Sequence, residues 1–598
     1  MAVEFISTDI AVAGVGRTLV AGDLLVIRNT GSLTSTTDAA VVLSGSATLR
    51  VEGMIHSASP NLAIVGTVDF GMTIDVTASG SILTETTAIQ FNSPGTIINA
   101  GMISTDNSFA IQVGGGTVIT NSGLITAHDQ AIIVTGITDG GAIINSGVIR
   151  AGTGIGDIVS GSIAIVLQNA TARITNTGLI ECVSRQPGGR AILIDADIGA
   201  AGTVVIENAG TIRSQSTVAI DASLNTRDGL FITNTGLITG LTQAIVGSSV
   251  ADTIINHGTL TVTADGAVGV RLGDGGDILR NRGVIETRVD MGDGADQFDG
   301  SQSDQGDYVF GGTGGDALIG GAFDDGLYGG DDNDRTYGGA GNDELIENGG
   351  QDTIFGGAGD DVIGIFGDEV GFLSGGLGDD RIAGSTANDM LIGNAGDDTL
   401  IGGGGDDVYG ISGLSDVVTE LVGGGLADRV ESGAISLDLN LYAFVERATL
   451  TGIGALRLTG NAGANTLVGN VAANVITGGA GTDTIAGGGG ADVITGGTGR
   501  DSLTGGAGAD VFVLLSAAET GLTAGTRDKI VDFVAGQDDL RMIFMGSFIG
   551  AAGFTAAGQV RYVAATGLLT GNTDADVAAE WAVQMATGLV LTSGDFVF

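Results

Sequence analysis

Short apolar runs bounded by asparagine and glycine pattern the first half of the chain. Asn29-Thr-Gly-Ser-Leu33, Asn99-Ala-Gly-Met-Ile103, Asn121-Ser-Gly-Leu-Ile125, Asn145-Ser-Gly-Val-Ile149 and Asn176-Thr-Gly-Leu-Ile180 share one pattern. Further copies open at Asn208, Asn234, Asn256 and Asn281. With weaker copies at Gly53 and Gly80, the motif glycines stand at 31, 53, 80, 101, 123, 147, 178, 210, 236, 258 and 283, mostly 21 to 27 apart. That period predicts one coil of a parallel β-solenoid per repeat. A second apolar strand recurs between these turns, as in Ala131-Ile-Ile-Val134, Ala164-Ile-Val-Leu167, Ala191-Ile-Leu-Ile194 and Ala244-Ile-Val246. β-Branched residues favour strands, and the glycines are expected to supply the positive φ of a corner. The repeated asparagines are expected to stack as a ladder of side-chain amides bonded between coils.

Past residue 286 the period changes. Aspartates fall nine apart at Asp307, Asp316, Asp325, Asp334, Asp343, Asp352 and Asp361. The next position in step is Val370, and after one inserted residue the register resumes at Asp380, Asp389, Asp398, Asp407 and Asp416. A second block runs Asn465, Asn474, Asp483, Asp492, Asp501 and Asp510. Around each aspartate the pattern is Gly-Gly-x-Gly-x-Asp-x-apolar, as in Gly338-Gly-Ala-Gly-Asn-Asp343-Glu-Leu345, Gly356-Gly-Ala-Gly-Asp-Asp361-Val-Ile363 and Gly478-Gly-Ala-Gly-Thr-Asp483-Thr-Ile485. The apolar residue two after the aspartate (Leu318, Leu327, Leu345, Ile354, Ile363, Ile382) is expected on a short strand facing the core. A flexible acidic linker would show no such fixed offset.

Charge sharpens this reading. The formal net charge is −46, and residues 287–416 alone hold 28 acidic against 3 basic residues. Carboxylates at that density repel one another unless cations lie between them, and the sign disfavours nucleic acid as a partner. A hard cation such as Ca²⁺ takes six to eight oxygens at about 2.3–2.6 Å, mixing carboxylates with backbone carbonyls, which is what glycine-rich turns ending in aspartate offer.

The nonapeptides resemble the RTX (repeats-in-toxin, hemolysin-type) calcium-binding repeats. In that family two nonapeptides make one turn of a β-roll, so repeats eighteen apart stack and share Ca²⁺. The resemblance implies that Asp316 shares an ion with Asp334, Asp325 with Asp343 and Asp334 with Asp352, giving roughly a dozen sites. The implied ligand positions are Asp307, Asp316, Asp325, Asp334, Asp343, Asp352, Asp361, Asp380, Asp389, Asp398 and Asp407, with turn glycines Gly338, Gly339, Gly341, Gly356, Gly357 and Gly359. In the second block they are Asp483, Asp492, Asp501 and Asp510, with Gly478, Gly479 and Gly481. Copies that depart from the pattern (Thr336 at the core position, Val370, Asn465, Asn474) imply weak or missing sites.

The expected architecture is all-β: a parallel β-solenoid (β-helix) over 1–286, a calcium-binding β-roll over 287–416, a β spacer over 417–459, a second roll block over 460–513 and a C-terminal cap over 514–598. Asp528-Lys-Ile-Val-Asp532-Phe-Val-Ala-Gly536 resembles the cap of serralysin-type RTX exoproteins, and a solenoid needs a cap to cover its last coil. Asp595-Phe-Val-Phe598 resembles the C-terminal signal of type I secretion substrates. The N-terminus reads unlike a Sec signal peptide, no stretch reads as a membrane span, and the single Cys182 allows no intramolecular disulfide. The expected partners are Ca²⁺, type I ABC export machinery and, outside the cell, surface or matrix polysaccharide.

A structural, adhesive or surface-layer role is the expected function, and a polysaccharide lyase or uronan epimerase on a β-helix is the alternative. Residues 1–286 hold no Tyr, Trp or Lys, so platforms for sugar stacking are scarce. The histidines His56, His128 and His257 form no His-Glu-x-x-His motif and are expected on surface turns. Acid and arginine pairs such as Asp195 with Asp197, or Arg185 with Arg190, are candidates for a lyase site, although similar pairs arise by chance on any charged surface. A pore-forming toxin fits poorly, because no long apolar region precedes the repeats and Lys529 is the only acylatable lysine.

Overall fold

Three isoleucine ladders run through the first half of the chain in the computed structural model. It describes residues 2–12, 15–57, 62–66, 71–136, 140–153, 161–169, 172–195, 203–227 and 229–598. The chain divides into two units, 1–341 and 342–598.

In the first unit each coil up to residue 286 contributes three strands to three parallel sheets. Ile97, Ile119, Ile143, Ile174, Ile206, Ile232 and Ile254 stand in register in the first sheet. Ile103, Ile125, Ile149, Ile180, Ile212 and Ile238 do so in the second, and Ile111, Ile132, Ile165, Ile192, Ile220 and Ile245 in the third. All are buried to within 1 %, so each coil adds one aliphatic layer to a continuous core. The asparagine motif therefore spans two strands, the first ending at Asn and the second starting after Gly, as in Gly141–Asn145 and Val148–Ala151.

The glycine of that bend departs from expectation. Gly123, Gly147, Gly178, Gly210, Gly236 and Gly258 are absent from the positive-φ residues. A Cβ at each would run into the carbonyl of the stacked glycine one coil earlier, so close backbone approach, not φ, selects glycine here. The asparagine ladder is as expected. Nδ2 of Asn99, Asn121, Asn145, Asn176, Asn208, Asn234 and Asn256 donates to Oδ1 of the next asparagine at 2.7–2.9 Å. His56 lies on the strand Met54–Ser57 and not on a turn.

The second sheet ends at Val284–Ile285. From Arg288 onward each coil has two strands, with Val289, Val309 and Leu327 stacked on one face and Phe298, Leu318 and Thr336 on the other.

The second unit is itself built of two-strand coils. Leu345, Ile363, Ile382, Leu400 and Val418 stack on one face, and Ile354, Leu373, Leu391, Tyr409, Val430 and Ala448 on the other. Leu318, Leu327, Leu345, Ile354, Ile363 and Ile382 are all within 1 % of full burial, as the nonapeptide pattern requires. After Val417–Thr419 one face passes to a new seven-stranded sheet, Leu437–Asp438 through Phe596–Val597. At the C-terminal end Gln559–Val563, Leu568–Asn572 and Trp581–Gln584 pair antiparallel, with Trp581 fully buried and edge-on to Phe544.

Candidate metal centre

The Gly-Gly-x-Gly-x-Asp turns all use one local geometry. The second and fourth residues adopt positive φ, for example +122° at Gly357 and +132° at Gly359, a region L-side chains resist. The first glycine is selected by its neighbour, since a Cβ on Gly356, Gly375, Gly393, Gly478 or Gly505 would strike the carboxylate that closes its own turn.

Those carboxylates form ladders along the roll. Asp334 Oδ1 accepts the N–H of Asp316 at 2.7 Å. The N–H groups of Asp343, Asp361 and Asp380 donate to Oδ1 of Asp361, Asp380 and Asp398, each at 2.9 Å. In the second block Asn465 donates to Asp483, Asp483 to Asp501, Asn474 to Asp492 and Asp492 to Asp510, at 2.7–2.9 Å. Repeats eighteen or nineteen apart therefore stack, and the residue inserted near Val370 is absorbed because the N–H of Gly371 takes over the ladder bond to Asp389.

The predicted aspartates divide by what their second oxygen does. Oδ2 of Asp316, Asp361, Asp380, Asp398, Asp407, Asp483, Asp492, Asp501 and Asp510 is buried without a hydrogen-bond partner. By contrast, Asp325 takes the N–H of Gly321 on Oδ2 at 2.7 Å. Asp389 takes the N–H and hydroxyl of Ser385, Asp416 the N–H groups of Ser412 and Gly413, and Asp307 the amide of Asn281 on both oxygens. Asp334, Asp343 and Asp352 are buried on the same turns. Asn465 and Asn474 cap their own turns through Oδ1, from the N–H of Asn461 and Asn470.

A buried carboxylate oxygen without a donor is costly, and its chemistry shows here. Burial pushes the carboxyls of Asp316 and Asp361 up to about 7 and those of Asp380, Asp483 and Asp492 up to about 6. The backbone N–H each accepts opposes this, and neighbouring aspartates add to it. An oxygen-only donor set of inward carboxylates and turn carbonyls fits Ca²⁺ and excludes softer metals. A bound Ca²⁺ supplies the positive charge these oxygens lack.

The ladder also holds residues outside the nine-residue register. Asp277 accepts from Asp252, Asp296 from Asp277 and Asp316 from Asp296, at 2.7–2.8 Å, and Oδ2 of Asp277 and Asp296 is again unpartnered. Their turns, Gly273-Asp-Gly-Gly-Asp277 and Gly292-Asp-Gly-Ala-Asp296, keep the Gly-x-Gly-x-Asp core with positive φ at both glycines. That shorter pattern was the available signal, hidden because the spacings are 19 and 20. Downstream, Asp428, Asp528 and Asp538 accept from Asp407, Asp501 and Asp510.

Arg190 is ion-paired with Asp221, and Asp197 lies outside the described residues. Glu181, fully buried, is held between Arg150 and Arg213 of the adjoining coils.

Fold and site together define a calcium-binding parallel β-roll. Residues 310–345, 348–363, 374–409, 459–494 and 487–515 match the RTX calcium-binding nonapeptide repeat, so the repeats that build the roll are RTX repeats, which bind Ca²⁺ in multiple copies. No curated protein matches the chain. No helix among the described residues is long and apolar enough to cross a membrane.

Proposed function

We propose that this is a secreted structural or adhesive protein whose roll folds on meeting external Ca²⁺. In this reading the Asn-ladder solenoid of residues 1–286 is, apart from the carboxylate turn at Asp277, a metal-independent spacer or contact surface. Residues 287–416 and 460–513 are the calcium-dependent blocks, 417–459 joins them and 514–598 caps the end. The buried unpartnered oxygens of Asp361, Asp380, Asp398, Asp483 and Asp501 support it most directly. Without a cation they oppose folding, so binding free energy becomes folding free energy. Low cytosolic Ca²⁺ keeps the roll open for export by a type I ABC transporter, with the serralysin-like C-terminus as the address, and roughly millimolar Ca²⁺ outside closes it. The ligands in this reading are the Asp residues with an unpartnered Oδ2, together with the turn carbonyls.

The test is a Ca²⁺ titration of the full-length chain that follows strand content and hydrodynamic radius together. Cooperative compaction, weakened by Asp361→Asn and Asp483→Asn, supports the reading. Full strand content in EDTA at neutral pH would sink it.

A lyase or epimerase remains the second reading on one observation. A groove of about 490 Å³ is lined by Asp265, Glu286, Arg288 and Tyr308, which combines a cation for a uronate, two acids and an aromatic face. Turnover of uronate polymers by the Ca²⁺-loaded chain, lost in Arg288→Ala, would establish it.

A further inference from the structure

Where the first run of nonapeptides ends, the chain builds a carboxylate cluster of a different kind. Asp407 closes the turn Gly402-Gly-Gly-Gly-Asp-Asp407, and the segment after Asp416, the last aspartate of the register, is not a nonapeptide. It returns Glu420 and Asp428, whose carboxylate oxygens lie with that of Asp407 within 4.8 Å of one another. The three are 0 %, 8 % and 1 % exposed. No arginine or lysine is ion-paired with any of them among the described residues.

Local hydrogen bonds leave the cluster incomplete. Asp407 Oδ1 accepts the N–H of Asp389 and Asp428 Oδ1 that of Asp407, at 2.7 and 2.8 Å. Glu420 Oε1 accepts the hydroxyl of Tyr409, and Oε2 the N–H of Leu421 at 3.2 Å. Asp407 Oδ2 has no partner and is aimed into the cluster. A Cβ placed on Gly402 would meet Asp407 Oδ2, Glu420 Oε1 and the Tyr409 hydroxyl at once. A Cβ on Gly424 would meet Glu420 Oε2 and the Gly403 carbonyl, both at 2.9 Å. Side-chain and carbonyl oxygens thus crowd against turn backbone where only glycine fits.

We propose that Asp407, Glu420 and Asp428 form a separate divalent-cation site, richer in carboxylates than the nonapeptide sites, that fastens residues 417–428 to the end of the first roll block. The spacing suits one ion. Oxygens about 2.4 Å from a central Ca²⁺ lie at most about 5 Å apart, and three ionised carboxylates that close exclude one another without a cation. Three formal negative charges from side chains distinguish it from turns where one inward carboxylate meets backbone carbonyls. The proposal rests on the roll folding around Ca²⁺ but adds Glu420 and Asp428, which lie outside the nonapeptide pattern, to Asp407.

The experiment counts ions on the full-length chain and uses Tyr409 as an internal antenna. Equilibrium dialysis with ⁴⁵Ca²⁺ is run on the wild type, Glu420→Gln/Asp428→Asn and Asp361→Asn, with strand content recorded for each. Tyrosine-sensitised Tb³⁺ emission is recorded for the wild type, the double variant and Tyr409→Phe. One ion fewer in the double variant, with emission lowered in both the double variant and Tyr409→Phe, is expected. Tyr409→Phe keeps all three carboxylates and stays informative if the double variant does not fold. An unchanged ion count in a folded double variant, or unchanged emission in Tyr409→Phe, overturns the site. If Asp361→Asn loses ions while the double variant does not, this site alone fails. A wild type that takes up no Ca²⁺ overturns both readings.

Discussion

The side-chain amide of Asn281 donates to both carboxylate oxygens of Asp307, at 3.0 and 3.1 Å. At this rung the buried ladder changes from amides to carboxylates. An amide stack satisfies itself, because each residue both donates and accepts; a carboxylate can only accept. The amide ladder is therefore closed without metal, while the carboxylate turns need backbone N–H groups on one oxygen and a cation for the other.

This contrast predicts the effect of moving a carboxylate into the amide ladder. Asn176 donates to Asn208 Oδ1 and accepts from Asn145, both at 2.8 Å, and is fully buried. Asn176→Asp removes the donor and sets a carboxylate against an amide oxygen, at a cost of about 3 kcal/mol. Hydrogen exchange in the neighbouring coils should rise sharply, and saturating Ca²⁺ should not restore it.

The two groups of aspartates should respond differently to neutralisation. Asp389→Asn keeps one oxygen that can accept from Ser385 or from the N–H of Gly371, whereas Asp398→Asn places an amide where a bare oxygen faces its turn. Asp398→Asn should raise the Ca²⁺ midpoint several-fold more than Asp389→Asn. Equal shifts would mean that the oxygen left unpartnered does not mark a ligand.

Much of this was legible in the sequence. The coil period, the asparagine ladder and the offset from Asp to buried Leu or Ile follow from residue spacing, because stacked coils force equivalent residues into register. Three features were not. The bend glycines are selected by the carbonyl of the coil before, which only stacking reveals. The turns ending at Asp277 and Asp296 carry the site chemistry at spacings of 19 and 20. The second oxygen of Asp325 and Asp389 is taken by nearby N–H groups, and a sequence motif does not record that difference.

Acidity should substitute for calcium in part. The carboxyls of Asp316 and Asp361 are raised to about 7 and those of Asp380, Asp483 and Asp492 to about 6, first by burial. A carboxyl raised in the fold favours folding when protonated. That contribution is full below about pH 4, the ordinary aspartate range, and is lost as pH rises through 6 to 7. In EDTA, strand content should therefore fall between about pH 5 and 8, and Ca²⁺ should abolish the dependence. Ca²⁺ binding near pH 6.5 should release protons, measurable in weakly buffered solution.

Two glycine substitutions separate stacking from conformation. Gly266 has φ +72° with open space around the position of a Cβ, so Gly266→Ala meets only the left-handed penalty, roughly 1–2 kcal/mol. Gly147 needs no unusual φ, yet a Cβ there would collide with the carbonyl of Gly123. Coils are held at strand spacing by hydrogen bonds on every side, such as Val148 N–H to Gly123 O at 2.9 Å, so the collision cannot be relieved by moving one residue. Gly147→Ala should cost about 3 kcal/mol or more. Exchange protection should be lost over several coils around residues 121–151, against a local loss near 266. A larger effect at Gly266 would mean that backbone conformation, not coil-to-coil contact, governs the glycine pattern.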